Sequence, residues 1–195
     1  SGILYSLFTK HGHLEIDLDA LKKISKQYSI QAEIAVVYTP PGYLEELKNP
    51  QNWEESLQTA MSCARKIFEE KKALAVGEVG LDYYWPLSSY LQLYENISEN
   101  QTENLVEKRF EELLQKPEIQ RCIEWQKEVL RRWIFIAKEV NLPLVIHDRD
   151  AFEDIVKIIE DCKFPPQKVM FHCYNSTPEN AALSAQKGYF ISIPA

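Results

Sequence analysis

All four histidines of the chain, and one glutamate, stand beside or inside short apolar runs. His11 and His13 form a His-x-His pair just after Ile3–Phe8, His147 ends the run Leu142–Ile146, and His172 ends Lys168–Phe171. Glu78 interrupts a fourth run, Ala73–Val79, within Val-Gly-Glu-Val-Gly-Leu-Asp. Neutral imidazole suits Zn²⁺ and related divalent ions, and a carboxylate can bridge two ions while balancing their charge. Two ions about 3.5–4 Å apart can activate a water on one side and stabilise a leaving oxygen on the other. A His-x-His pair on a strand turns both rings to one face, because the side-chain period is two. The candidate metal ligands are therefore His11, His13, Glu78, His147 and His172.

Each has a plainer reading. His-Gly-His in a surface loop is ordinarily solvated, and His172 could be a satisfied core histidine. The run Asp148, Arg149, Asp150 after His147 could cap the next helix. Glu78 could pair with a basic side chain, but it sits among apolar residues between Gly77 and Gly80, where an unpaired charge is costly. Arg149, just past a candidate ligand, is placed to meet an anionic group of a substrate; pairing with Asp148 or Asp82 is the alternative.

The elements that must position these residues alternate. Strands are expected at Ile3–Phe8, Ile30–Tyr38, Ala73–Val79, Leu144–His147, Val169–His172 and Tyr189–Ile193, with helices over Leu18–Gln27, Trp53–Lys71, Glu124–Val140, Ala151–Cys162 and Pro178–Gln186. Strands separated by helices of this length imply parallel βαβ units. Polar groups converging from several strand ends are what a barrel-mouth site requires, although six strands fall two short of a closed barrel, which takes about 250 residues. Residues 86–122 hold no strand and are expected to form a solvated helical insertion within a single domain; a lid or partner-binding arm is the alternative.

The 195 residues are 45% hydrophobic and 26% charged, as in an ordinary soluble globular domain. No apolar run approaches the roughly 18–20 residues that cross a bilayer, so no membrane association is expected. Cys63, Cys122, Cys162 and Cys173 show no Cys-x-x-Cys spacing, which suggests reduced thiols and a cytoplasmic or nuclear location. A net charge of −7 argues against binding nucleic acid by a broad basic surface. It leaves room for a nuclease whose ions neutralise phosphate locally.

Ala-Val-Gly-Glu-Val-Gly-Leu-Asp-Tyr-Tyr (75–84), a helix with Gln126 and Ala137, Leu-Pro-Leu-Val-Ile-His-Asp-Arg-Asp-Ala (142–151), Phe-His-Cys-Tyr-Asn-Ser (171–176) and Gly-Tyr-Phe-Ile-Ser-Ile (188–193) together resemble the TatD family of metal-dependent deoxyribonucleases, in the amidohydrolase superfamily. The resemblance implies an α/β, TIM-barrel-type hydrolase with one or two divalent ions (Mg, Zn and Mn not distinguished), cleaving phosphodiester bonds of DNA ends or single strands. It makes Glu78 the metal-bridging carboxylate, His147 and His172 ligands of the second ion, and His11 with His13 the first-strand pair. The chain departs from the pattern. Thr9-Lys10 fill the stretch where the family has an aspartate, Thr39-Pro40-Pro41 replace a Gly-x-His-Pro turn, and the family's last aspartate ligand is not in the sequence. The chain is therefore expected to be a fragment or truncated form with little activity by itself. Two other readings stay open: a hydrolase of a small ester, amide or phosphoester on the same fold, and a degenerate barrel serving as a binding module. Oligomeric state is open.

Overall fold

In the computed structural model, the described residues are 3–5, 32–36, 50–69 and 73–193. Six strands, β1 (Ile3–Tyr5), β2 (Ala32–Val36), β3 (Ala75–Asp82), β4 (Leu144–Arg149), β5 (Val169–Phe171) and β6 (Phe190–Ile191), form one sheet. They pair in sequence order and every pair is parallel. Sequential parallel order with intervening helices is the TIM-barrel type of α/β architecture, and these six strands are the ones the apolar runs mark. The helices are α1 (Pro50–Glu69), α2 (Tyr84–Glu95), α3 (Glu99–Leu114), α4 (Pro117–Val140), α5 (Phe152–Asp161) and α6 (Pro178–Lys187). The expected helix over Leu18–Gln27 lies outside the described residues.

Helix α4 is the long support behind β3. It buries Ile119, Cys122, Ile123, Gln126, Leu130, Trp133 and Ala137, among others, at steps of three and four, so one face is continuous with the core. It begins at Pro117, two turns before the expected Glu124. Proline suits the first helical turn because its missing N–H has no intrahelical partner there. Asn141, at φ 58°, ends the helix in the left-handed conformation. Thr177 caps α6 by accepting from the Asn180 N–H at 3.2 Å, and Gly188 at φ 83° closes it.

Residues 86–122 lie in α2, α3 and the first turns of α4, with a solvated outer face and a buried inner one. Leu87, Leu91, Leu113 and Ile119 are fully buried and belong to the same core as Trp133 and Phe171. Sequence obscured this because those apolar residues are scattered among Glu and Gln, which occupy the outer face. Arg109 bonds both oxygens of Glu95, at 2.6 and 3.1 Å, and also Glu112, which ties α3 back onto α2. Excising Leu87–Gln120 is expected to abolish cooperative folding, since losing even one buried leucine costs about 2–5 kcal/mol. A thermal melt close to that of the intact chain would refute a shared core.

Candidate metal centre

Strand β3 meets β4 at unusually close range. A Cβ built on Gly77 would lie 2.4 Å from the Val145 Cβ, and one on Gly80 only 1.8 Å from the His147 carbonyl oxygen. Only glycine permits that approach. The register slips between Gly77, opposite Val145, and Val79, opposite Ile146, so Glu78 has no partner across the pair. A bulge of this kind re-aims a side chain. Glu78 is half-buried, whereas every other residue of β3 is buried.

The carboxylate of Glu78 reaches across to β4, where its Oε1 lies 3.3 Å from Nδ1 of His147. The other ring nitrogen, Nε2, is 3.0 Å from Oδ2 of Asp82. Asp82 ends β3 and is 2% exposed; its Oδ1 accepts from the Trp85 N–H at 3.0 Å. Gln126 of α4, fully buried, accepts from the Asp82 N–H at 2.8 Å and donates to the Asp82 carbonyl at 3.0 Å. His147 thus lies between two carboxylates, one of them anchored to a helix.

The electrostatics follow. The hydrogen bond from His147 holds the Glu78 carboxyl below its ordinary range; burial opposes this, and the charges of His147 and His172 add to it. Burial disfavours charge on His147, but the hydrogen bonds and negative charges of Asp82 and Glu78 outweigh burial and push its pKa up to about 9. Asp148 is pushed up to about 6 mainly by burial, against its bond from the Ala151 N–H.

His172 follows β5, and its backbone N–H donates to the Ile146 carbonyl at 2.8 Å. It is near enough for its charge to act on Glu78, but its Nε2 is turned to the Cys173 sulfur at 3.0 Å. Among the described residues, no three His, Cys, Asp or Glu side chains converge as a metal-holding cluster. His11 and His13 lie outside the described residues. The donor set nonetheless fits a divalent ion. Oxygen and imidazole nitrogen suit Mg²⁺, Mn²⁺ or Zn²⁺, and a protonated His147 supplies, between Glu78 and Asp82, the positive charge that an ion would bring.

Arg149 pairs with neither Asp148 nor Asp82; Asp82 is engaged by His147 and Trp85 instead. The guanidinium lies 3.7 Å from the centre of the Tyr84 ring and 5.8 Å from that of Trp85. It lines a cavity of about 580 Å³ with Asp148, Asp150, Glu103, Glu107 and Asn175. Glu78, His147 and His172 are not part of that lining, so the cavity does not enclose the Glu78–His147 contact.

A family model described as TatD related DNase matches residues 13–195. The chain belongs to the TatD family. It is 23% identical over 205 residues to the uncharacterized metal-dependent hydrolase YabD of Bacillus subtilis, covering 95% of this chain and 68% of that protein. A shorter stretch of 71 residues, 36% of this chain, is 35% identical to 25% of the human deoxyribonuclease TATDN3. A TatD family hydrolase structure from Entamoeba histolytica superposes with a TM-score of 0.54 at 20% identity, over 99% of this chain and 51% of that one. The chain thus spans 51–68% of the length of these fuller relatives.

Asp82 and Gln126 escaped the sequence reading as site residues. Asp82 entered only within the 75–84 motif and as a partner for Arg149, although the argument applied to Glu78, a charge among apolar neighbours, applies to it equally. Gln126 was visible only as part of the family pattern; a polar residue in the apolar row Cys122, Ile123, Val129, Leu130 was the signal.

Gly80→Ala is expected to destabilise the protein by about 1–3 kcal/mol or more, because the new methyl meets backbone that cannot yield. Denaturant unfolding indistinguishable from that of the parent would contradict the close approach. The pKa of His147 gives a second test. A folded value near 9, above the roughly 6.5 of a free histidine, contributes stability that is whole below pH ~6.5 and lost as pH rises through about 9. Melting temperatures of the metal-free protein should fall across that window, and Glu78→Gln should reduce the fall; a flat profile would count against the arrangement.

Proposed function

We propose that the protein is a divalent-metal-dependent hydrolase that cleaves phosphodiester bonds in DNA, acting on ends or single strands. The observation that carries this reading is the meeting of Glu78 and His147 across the glycine-lined contact of β3 and β4. Glu78, His147 and His172 would hold the ion or ions, with His11 and His13 as the further ligands the family pattern supplies. A bound ion supplies Lewis acidity towards a phosphoryl oxygen and lowers the pKa of a water enough for attack near neutral pH.

The remaining steps belong to side chains. Arg149, spread on Tyr84 and beside Trp85, is pre-oriented to bond a phosphate oxygen with its planar fork. Trp85 is 40% exposed, so its ring offers a face on which a base can stack. The similarity to the human deoxyribonuclease over residues that it shares with this chain supports DNA as substrate.

A second reading, a hydrolase of a small phosphoester or ester, is favoured by the cavity wall. Glu103, Glu107, Asp148, Asp150 and Glu153 surround one arginine, a poor lining for a long polyanion.

Glu78→Gln removes a charge without changing shape. In the full-length protein it should lower metal-dependent hydrolysis of single-stranded DNA by at least about 10²-fold, the scale of a lost catalytic carboxylate, with the circular dichroism unchanged. Undiminished turnover would remove Glu78 from the mechanism. Hydrolysis of small phosphoesters by the parent protein, with DNA untouched, would favour the second reading.

A further inference from the structure

We infer that the cavity beside Arg149 is a nucleobase pocket, in which Glu103 and Glu107 of α3 favour bases with an exocyclic amino group (cytosine, adenine and guanine) over thymine. The choice of a nucleotide as ligand rests on the nuclease reading above, and the pocket names which nucleotide that reading selects.

Positions 103, 106, 107 and 110 recur at helical steps, so Glu103, Val106, Glu107 and Phe110 share one face of α3. All four line the cavity, together with Tyr84 and Arg149. The grip of Arg109 on Glu95 ties α3 to α2, the helix that begins at Tyr84, so these walls are held as one unit. A volume of about 580 Å³ is in the range of sites that take one small molecule.

The lining divides along the chemistry of a nucleotide. Arg149 is the one cation among the described lining residues, and its guanidinium, held 3.7 Å from the centre of the Tyr84 ring, is where a phosphate is met. Five carboxylates make up the rest of the charge and repel any second phosphate. An ionised carboxylate only accepts hydrogen bonds, so the group that faces it must donate. Among the described residues neither Glu103 nor Glu107 is held in an ion pair, whereas Glu95 and Glu112 are bound to Arg109. Val106 and the half-buried Phe110 add an apolar strip between them. A flat, neutral ring with N–H donors on its edge meets both demands, stacking on Phe110 and donating to the glutamates. The amino groups of cytosine and adenine donate to a carboxylate in this way, and guanine offers N1–H and its amino group side by side. Thymine flanks its single N–H with two carbonyl oxygens, which a carboxylate repels.

Calorimetric titration of the metal-free, full-length protein with dCMP, dAMP, dGMP and dTMP isolates the base, because the phosphate is common to all four. The three amino-bearing nucleotides should bind about tenfold more tightly than dTMP, the scale of one good base-edge contact. Glu103→Gln combined with Glu107→Gln, both at exposed positions, should abolish or reverse that preference, since a glutamine amide can donate to the thymine O4. Phe110→Leu keeps the apolar strip without the ring and should weaken all four nucleotides by a similar factor. Equal affinities in the parent, or a preference that survives in the double variant, overturn the assignment. Absence of binding at millimolar nucleotide, in a protein that cleaves single-stranded DNA once metal is added, overturns the pocket and leaves the nuclease reading intact. The expected preference in a protein that leaves DNA uncut with metal present supports the pocket and removes the nuclease reading.

Discussion

Everything at the candidate site depends on how closely β3 and β4 approach. At Gly80 the strands are so near that a single methyl would overlap the His147 carbonyl, and at Gly77 the side chain of Val145 occupies the corresponding space. Parallel strands ordinarily present matched residues side by side. Here the slip at Glu78 breaks the match, leaving one carboxylate free to lean over its neighbour while the strand continues in register to Asp82 opposite Arg149. A wider spacing would leave Glu78 and His147 too far apart to share a proton or an ion.

The second requirement is that so much charge survive next to an apolar core. Glu78, Asp82, His147, Asp148 and Arg149 stand within two adjacent strands whose other residues are Val, Leu, Ile, Ala and Gly. Isolated buried charges are expensive, and a half-satisfied polar network is worse than none. The arrangement persists because partners are supplied from outside the sheet. Gln126 comes from α4, the Trp85 N–H from the first turn of α2, and the Ala151 N–H from the start of α5. The helices therefore do more than cover the sheet; three of them hold the polar ends of its strands.

This division explains what was legible in the sequence. Apolar runs and their ends are local, so the six strands and the placement of Glu78, His147 and His172 at or inside them could be read directly. The Glu78–His147 contact was also readable in kind, because an acid in Val-Gly-Glu-Val-Gly has few other uses. The anchoring of that contact was not. A glutamine at position 126 carries no local sign of which main chain it will bind, and the acid at position 82 carries none of which imidazole it will meet. Helix α3 was obscured for a different reason: its buried Val106 and Leu113 are outnumbered by the exposed Glu99, Glu103, Glu107, Glu111 and Glu112, so composition spoke for the outer face and hid the inner one. The separation of His172 from the other two, with its ring on Cys173, is a matter of rotamer that strand periodicity does not carry.

Helix α3 bears on substrate as well as on stability. Val106 and Phe110 face the cavity beside Arg149, as do the carboxylates of Glu103 and Glu107. A duplex laid across this mouth would bring several phosphates against those acids, and at physiological salt charges within about 8 Å still interact. On the proposed nuclease reading, a chain end would bring one phosphate to Arg149 and let the rest leave away from the acidic wall. The same wall leaves a small phosphoester unopposed once its single charge is met. The proposed DNA-end and small-substrate readings therefore share one electrostatic cause, and they would differ in whether a further nucleotide stacks on the exposed ring of Trp85.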